Sequence, residues 1–177
     1  FMKKRVISIM LCFALCFCTS PAVAFAATER DTSFEKSLAV DLKTLGLFKG
    51  VSATEFDLNR NPTRVEAIVM LIRLLGKEND VLNNTSAHHP FTDVPVWADS
   101  YVGYAYQIGL TNGSSATKFG TGSASAAMYI TFVLRALGYS DTNGEDFVWN
   151  DPFTLARSVG ILPSCVNTEN FWRADIV

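Results

Sequence analysis

Beyond residue 18 the chain has a single cysteine, Cys165. Cys12, Cys16 and Cys18 crowd the first eighteen positions, so the total of four supplies no disulfide framework for the rest of the chain. A dominant charge is also lacking. Fifteen basic and 17 acidic residues leave a net charge of −2, which excludes the strongly basic footprint of a nucleic-acid binder. The 11 glycines and six prolines follow no G-X-Y period, which excludes collagen. A hydrophobic content of 49% excludes a disordered chain. The longest apolar run, 6–18, falls short of the ~20 residues that a membrane span needs.

That short run has a different reading. It follows Lys3, Lys4 and Arg5 and precedes a stretch of small residues, the three-part pattern of a secretory signal peptide. Ala24 and Ala26, spaced A-x-A, place the cut after Ala26. An uncleaved anchor is the alternative; the short core and Pro21 count against it. Bulky Phe17 before Cys18 counts against a lipoprotein signal. Residues 1–26 are therefore read as an address, and no membrane contact is expected after its removal. Residues 27–177 keep 12 basic and 17 acidic residues, a charge of −5, and should form one domain stabilised by a core. Cys165 reads as a small apolar residue in a packed loop after Pro163; a reactive thiol or an intermolecular bridge is the other reading.

What the chain does have is internal repetition. Leu45-Gly46-Leu47-Phe48-Lys49-Gly50 and Phe56 correspond to Ile108-Gly109-Leu110-Thr111-Asn112-Gly113 and Phe119, at an offset of 63. Ile72-Arg73-Leu74-Leu75-Gly76 then matches Leu134-Arg135-Ala136-Leu137-Gly138 at 62. A third copy starts near Phe147, passes through Val159-Gly160-Ile161-Leu162, and stops at Val177, where a long helix is expected to begin. The third unit is thus expected to be truncated. The units are 33–80, with a linker to 90, then 91–140 and 147–177.

Each unit reads as helix, loop, helix. In the first, Phe34, Leu38, Leu42 and Leu45 recur at helical spacing over 33–45, and Gly46 supplies a stop. Thr63 and Glu66 fit the N-cap and N3 positions of a capping box, ahead of apolar Ile68, Leu71, Ile72 and Leu75. Asp99 or Ser100, and Ser123 or Ser125, can start the two helices of unit two. Asp151 and Pro152 fit N-cap and N1 of a helix closed by Gly160. The polar stretch 77–90 reads as an exposed linker and includes the sequon Asn83-Asn84-Thr85.

The lead-in Phe91-Thr92-Asp93-Val94-Pro95-Val96-Trp97-Ala98, the helix start Thr63-Arg64-Val65-Glu66 and its variant Trp172-Arg173-Ala174-Asp175 resemble the S-layer homology (SLH) family. The resemblance covers nearly all of 33–177. It implies an all-α fold in which three helix-loop-helix units pack about a pseudo-threefold axis. It also implies a secreted bacterial protein held to cell-wall polysaccharide that often bears acidic ketal-pyruvate groups, with further domains possible beyond Val177. The expected ligand-binding residues are Arg64, Asp93 and Trp97 around one groove and Arg173 in another. Arg64 would sit beside unpaired amides at the positive end of a helix and grip a carboxylate with its planar fork. Trp97 reads as a sugar platform or as core; Trp149 and Trp172 read as packing. Unit two departs from the family, because Ser125, Ala126, Ala127 and Met128 stand opposite Thr63, Arg64, Val65 and Glu66. A site on that turn is expected to be lost.

No motif supports catalysis, a cofactor or a metal. There is no phosphate loop after a strand and no nucleophile elbow, and Ser, Asp and His show no triad spacing. His88 and His89 are adjacent in the linker, a poor arrangement for one metal, and read as solvated. Two functions remain: a carbohydrate-binding envelope anchor, or a helical scaffold of the same fold without sugar affinity.

Overall fold

The capping box forms as a local structure. Thr63 Oγ1 accepts the Glu66 amide at 3.1 Å, and Glu66 Oε2 accepts the Thr63 amide at 2.8 Å. A computed structural model describes residues 30–177 except 85 and 165. The readings of the address segment, of Thr85 and of Cys165 lie outside the described residues.

The chain is all-α. Its helices are α1 (Ser33–Thr44), α2 (Arg64–Leu74), α3 (Glu78–Asn83), α4 (Asp99–Gln107), α5 (Ala126–Ala136) and α6 (Phe153–Ser158), with short 3₁₀ turns at Val96–Ala98, Thr142–Gly144 and Arg173–Ile176. Among the described residues β-pairing is limited to isolated bridges. The glycines expected to stop helices do so in the left-handed region, as at Gly76 (φ 69°) and Gly138 (φ 90°).

Helix α2 is the central element, buried from Val65 to Ile72 apart from Glu66 and packed against α4 and α5. Fully buried Ala67, Ala98 and Ala105 keep the crossings close. Phe48, Phe56, Phe119, Phe132 and Phe171 fill the space between helices and loops. A smaller cluster, Ile130, Leu134, Phe147 and Ala156, joins α5 to α6. The face expected for α1 is only partly used: Ala39 is its buried residue, Leu38 and Leu42 are half-buried, and Phe34 is 71% exposed. Helix α6 starts one residue later than expected, with Pro152 as N-cap, and Asp151 accepts the Thr154 hydroxyl.

The segment 77–90 is largely exposed, as expected, but it is anchored at a few points. Its helix α3 buries Val81, and Glu78 accepts hydrogen bonds from Lys49, Arg73 and Tyr101 at 2.8, 3.0 and 2.5 Å. His89 is not solvated; its side chain is 5% exposed. Its ring stacks on Phe91, its Nδ1 accepts the Phe91 amide and its Nε2 faces Asp99 at 3.2 Å. A count of polar letters missed this because charged side chains that meet partners can line a packed interface.

Three stretches ahead of helical turns meet at the centre. Arg64 N–H donates to Gly122 O and Ala124 N–H to Pro62 O, both at 2.8 Å. On the other side Arg173 N–H donates to Arg60 O at 2.9 Å and Ala174 N–H to Leu58 O at 3.2 Å.

Two predictions follow from the packing and the charge pairs. At Gly113 (φ 78°) a methyl group would lie 2.3 Å from the Phe91 ring and 2.7 Å from Lys118 O, whereas at Gly122 it would meet nothing within 4 Å. Gly113→Ala should therefore cost about 2 kcal/mol or more, and Gly122→Ala less than about 1, in urea unfolding. Burial raises the Glu66 carboxyl, but hydrogen bonds from Arg60 and the Thr63 amide and the charge of Arg173 outweigh it and hold it at about 2. Glu78 is likewise held at about 2, against burial, by Lys49, Tyr101 and Arg73. Both values lie below the 4.5 of a free glutamate, so this stabilisation is complete above that range and is lost as the pH falls toward 2. The urea midpoint should drop across that window, and the double variant Glu66→Gln, Glu78→Gln should flatten the drop.

Candidate functional site

Arg64 and Arg173 open corresponding turns in the sequence, yet the structure treats them differently. Arg173 is 4% exposed. Its Nη1 donates to Glu66 Oε1 and its Nε to Phe56 O, both at 3.2 Å, and its guanidinium lies 6.0 Å from the Phe48 ring centre. Arg60 holds the same Glu66 carboxylate through both of its oxygens, at 2.6 and 2.8 Å. Arg173 is thus an internal tie between its own turn and unit one, not the open binding residue expected.

Arg64 lies over two rings, 5.1 Å from the centres of both Phe119 and Phe132. Its Nη2 donates to Gly113 O at 3.3 Å and reaches Thr111 Oγ1 at 3.5 Å. Its Nε is buried and makes no hydrogen bond. Burial, then the neighbouring charge of Arg135, push its pKa down, and no acidic group offsets them. Two amides of this turn are committed, the Arg64 amide to Gly122 O and the Glu66 amide to Thr63.

Arg64 opens into a groove of about 640 Å³. One wall is α5, through Ser125, Met128, Thr131 and Arg135; the loop 112–114 forms another, and Trp149 with Asn150 the rim. The first turns of α5 hold their place because Ser125 Oγ caps the Met128 amide at 3.2 Å. Unit two, on whose turn a site is expected to be lost, supplies much of the groove lining. Arg135 is paired with Asp141, which also lines the groove, at 2.6 and 2.9 Å, while its Nη1 donates to Leu110 O.

The other two expected residues do not line this groove. Asp93 accepts the amides of Phe119 and Gly120 at 2.8 and 3.0 Å. It therefore fixes the loop against which Arg64 packs, rather than presenting itself to a ligand. Trp97 is 59% exposed on the Val96–Ala98 turn, so it is not core, and it lies outside the groove lining. The aromatic at the rim is Trp149, 69% exposed, which sequence reading assigned to packing. Trp172 does pack against the core, with Nε1 donating to Asn170 at 2.9 Å. Arg135 and Met128 were visible beforehand only as repeat positions, matching Arg73 and Glu66.

The two arginines should separate in stability measurements. Arg173→Ala, which removes a partner of a largely buried ion pair, should cost on the order of 3 kcal/mol. Arg64→Met, which keeps the contact with both rings and removes an orphaned donor, should change stability by less than about 1 kcal/mol. Matched urea midpoints for these two variants would contradict the assignment.

No family model matches the chain. Over 146 residues it is 34% identical to a cell surface protein of Thermoanaerobacter kivui, covering 78% of this chain and 19% of that protein. It is 28% identical over 187 aligned positions to the middle cell wall protein of Brevibacillus brevis, covering 98% of this chain and 17% of that one. With a surface-layer 125 kDa protein of Lysinibacillus sphaericus it shares 33% identity over 94 residues, covering 53% and 8%. The chain thus spans a fifth or less of the length of these relatives. No helix among the described residues is long and apolar enough to cross a membrane. The chain is thus similar to parts of bacterial proteins named for the cell surface, the cell wall and the surface layer, which puts it at the bacterial cell surface.

Proposed function

We propose that residues 27–177 form an S-layer homology module that anchors a larger secreted protein to acidic cell-wall polysaccharide, without a catalytic step. The observation that carries this reading is Arg64, a half-buried guanidinium with an orphaned Nε and no carboxylate partner, facing an open groove. Leaving a buried donor unpaired costs about 1–3 kcal/mol, which a ligand oxygen would recover on binding. The groove suits an acidic sugar. Arg64 offers a planar fork to a carboxylate, Asn112, Ser125 and Asn150 can meet hydroxyls, and the exposed Trp149 indole can cover a sugar face. Relatives named for the cell wall and the surface layer support the envelope setting.

Co-sedimentation of the folded protein with purified cell-wall polysaccharide tests the proposal. Arg64→Met should weaken binding about tenfold or more, the equivalent of one charge-assisted hydrogen bond. Trp149→Ala should weaken it several-fold, at about 0.5–1.5 kcal/mol for one ring face. Trp97→Ala should leave it unchanged. A folded, unmodified protein that stays in the supernatant would leave the scaffold reading in place of the anchor.

A further inference from the structure

The tripeptide Thr-Asn-Gly occurs twice, as Thr111-Asn112-Gly113 and as Thr142-Asn143-Gly144. An asparagine ahead of glycine is open to attack on its own side chain, because glycine has no Cβ to keep its amide nitrogen away from the carboxamide carbon. The shared neighbours give the two pairs closely similar intrinsic reactivity, so a difference between them comes from the fold. Both asparagines are exposed, but the two glycines are held differently. Gly113 N–H donates to the Thr111 hydroxyl at 3.1 Å, and Thr111 is fully buried. Gly113 O accepts from Arg64 at 3.3 Å, and a methyl group on Gly113 would lie 2.3 Å from the Phe91 ring, so the residue is clamped. Gly144 N–H donates within its own turn, to Asp141 O at 3.2 Å. Residues 142–146 are all exposed, and a methyl group on Gly144 would meet Val148 Cγ1 at 3.4 Å, an ordinary contact. Asn143 (φ 56°) and Gly144 (φ 72°) thus form a left-handed pair on an exposed turn, the kind of segment that opens at low free energy.

We propose that Asn143 is a site of spontaneous covalent modification in the folded protein, and that the fold protects Asn112 from the same reaction. When the turn opens, the deprotonated Gly144 amide nitrogen attacks Asn143 Cγ. The new C–N bond closes a succinimide ring. The C–N bond of the carboxamide breaks, and its nitrogen leaves as ammonia with the hydrogen that the glycine amide gave up. Water then opens the ring at either carbonyl, giving aspartate or isoaspartate; water is the one co-reactant. Each event puts a carboxylate in place of a neutral side chain, close in sequence to Glu145 and Asp146. The isoaspartyl form also adds one carbon to the main chain of the turn. The ends of that turn are held by Asp141 on Arg135 and by Phe147 in the smaller apolar cluster. At Asn112 the same attack requires Gly113 to leave both a buried hydroxyl and the Phe91 ring. The inference is independent of the anchor reading.

Incubation of the full chain at mildly alkaline pH, followed by peptide mapping with mass spectrometry, tests the inference. In the folded protein, conversion at Asn143 should run about tenfold or more faster than at Asn112, a ratio set by the difference in local opening. In guanidinium chloride beyond the unfolding midpoint the two rates should become alike, because the tripeptides are the same. Asn143→Ser should remove the main product and leave Asn112 intact in the folded chain. Amide hydrogen exchange should find Gly144 less protected than Gly113. Folded-state conversion at Asn112 as fast as at Asn143, or an Asn143 that stays intact in the folded chain and converts only in denaturant, would overturn the inference.

Discussion

The structure depends on one meeting point, where the stretch 58–64 exchanges backbone hydrogen bonds with 122–124 on one side and 173–174 on the other. Backbone groups removed from water must be paired, and here they are paired between segments more than fifty residues apart. Each long-range pairing sets the direction in which a helical turn leaves the centre. Arg64, Glu66 and Arg173 stand on those turns, so their mutual placement is a consequence of the backbone junction. The Glu66 carboxylate then ties the arrangement with charge, holding Arg60 and Arg173 together while its other bond caps α2.

Much of the fold was legible because it is written in local chemistry. The Thr63–Glu66 box, the left-handed glycines at 76, 109, 138 and 160 and the apolar spacing in α2 each act within a few residues. Helix α3 was hidden because its evidence is tertiary. Glu78 is a surface residue in any one-dimensional reading, and only the approach of Lys49, Arg73 and Tyr101 makes it an interior partner. The site was legible in part for the same reason. Arg64 could be singled out from its position at a helix start. Asp93, Trp97 and Arg173 share that kind of motif, but their roles depend on what the next unit brings against them. Trp149 carries no local signal of its rim position; that comes from the path of the chain after α5.

Departure from internal symmetry is where the chemistry lies. Here Met128 stands at the repeat position of Glu66, and Arg64 lies over two aromatic rings at the groove that Met128 helps to line. Two arginines that the sequence presents as equivalents thus differ in surroundings, Arg173 buried and paired with Glu66 and Arg64 at a groove with its Nε unpaired.

The central claim is that Arg64 meets ligand and Arg173 does not. Side-chain Nε–Hε NMR spectra of the two arginines, recorded while purified cell-wall polysaccharide is added, test it most directly. The account predicts a saturable shift at Arg64 with Arg173 unmoved. A shift at Arg173 with Arg64 unmoved would contradict it.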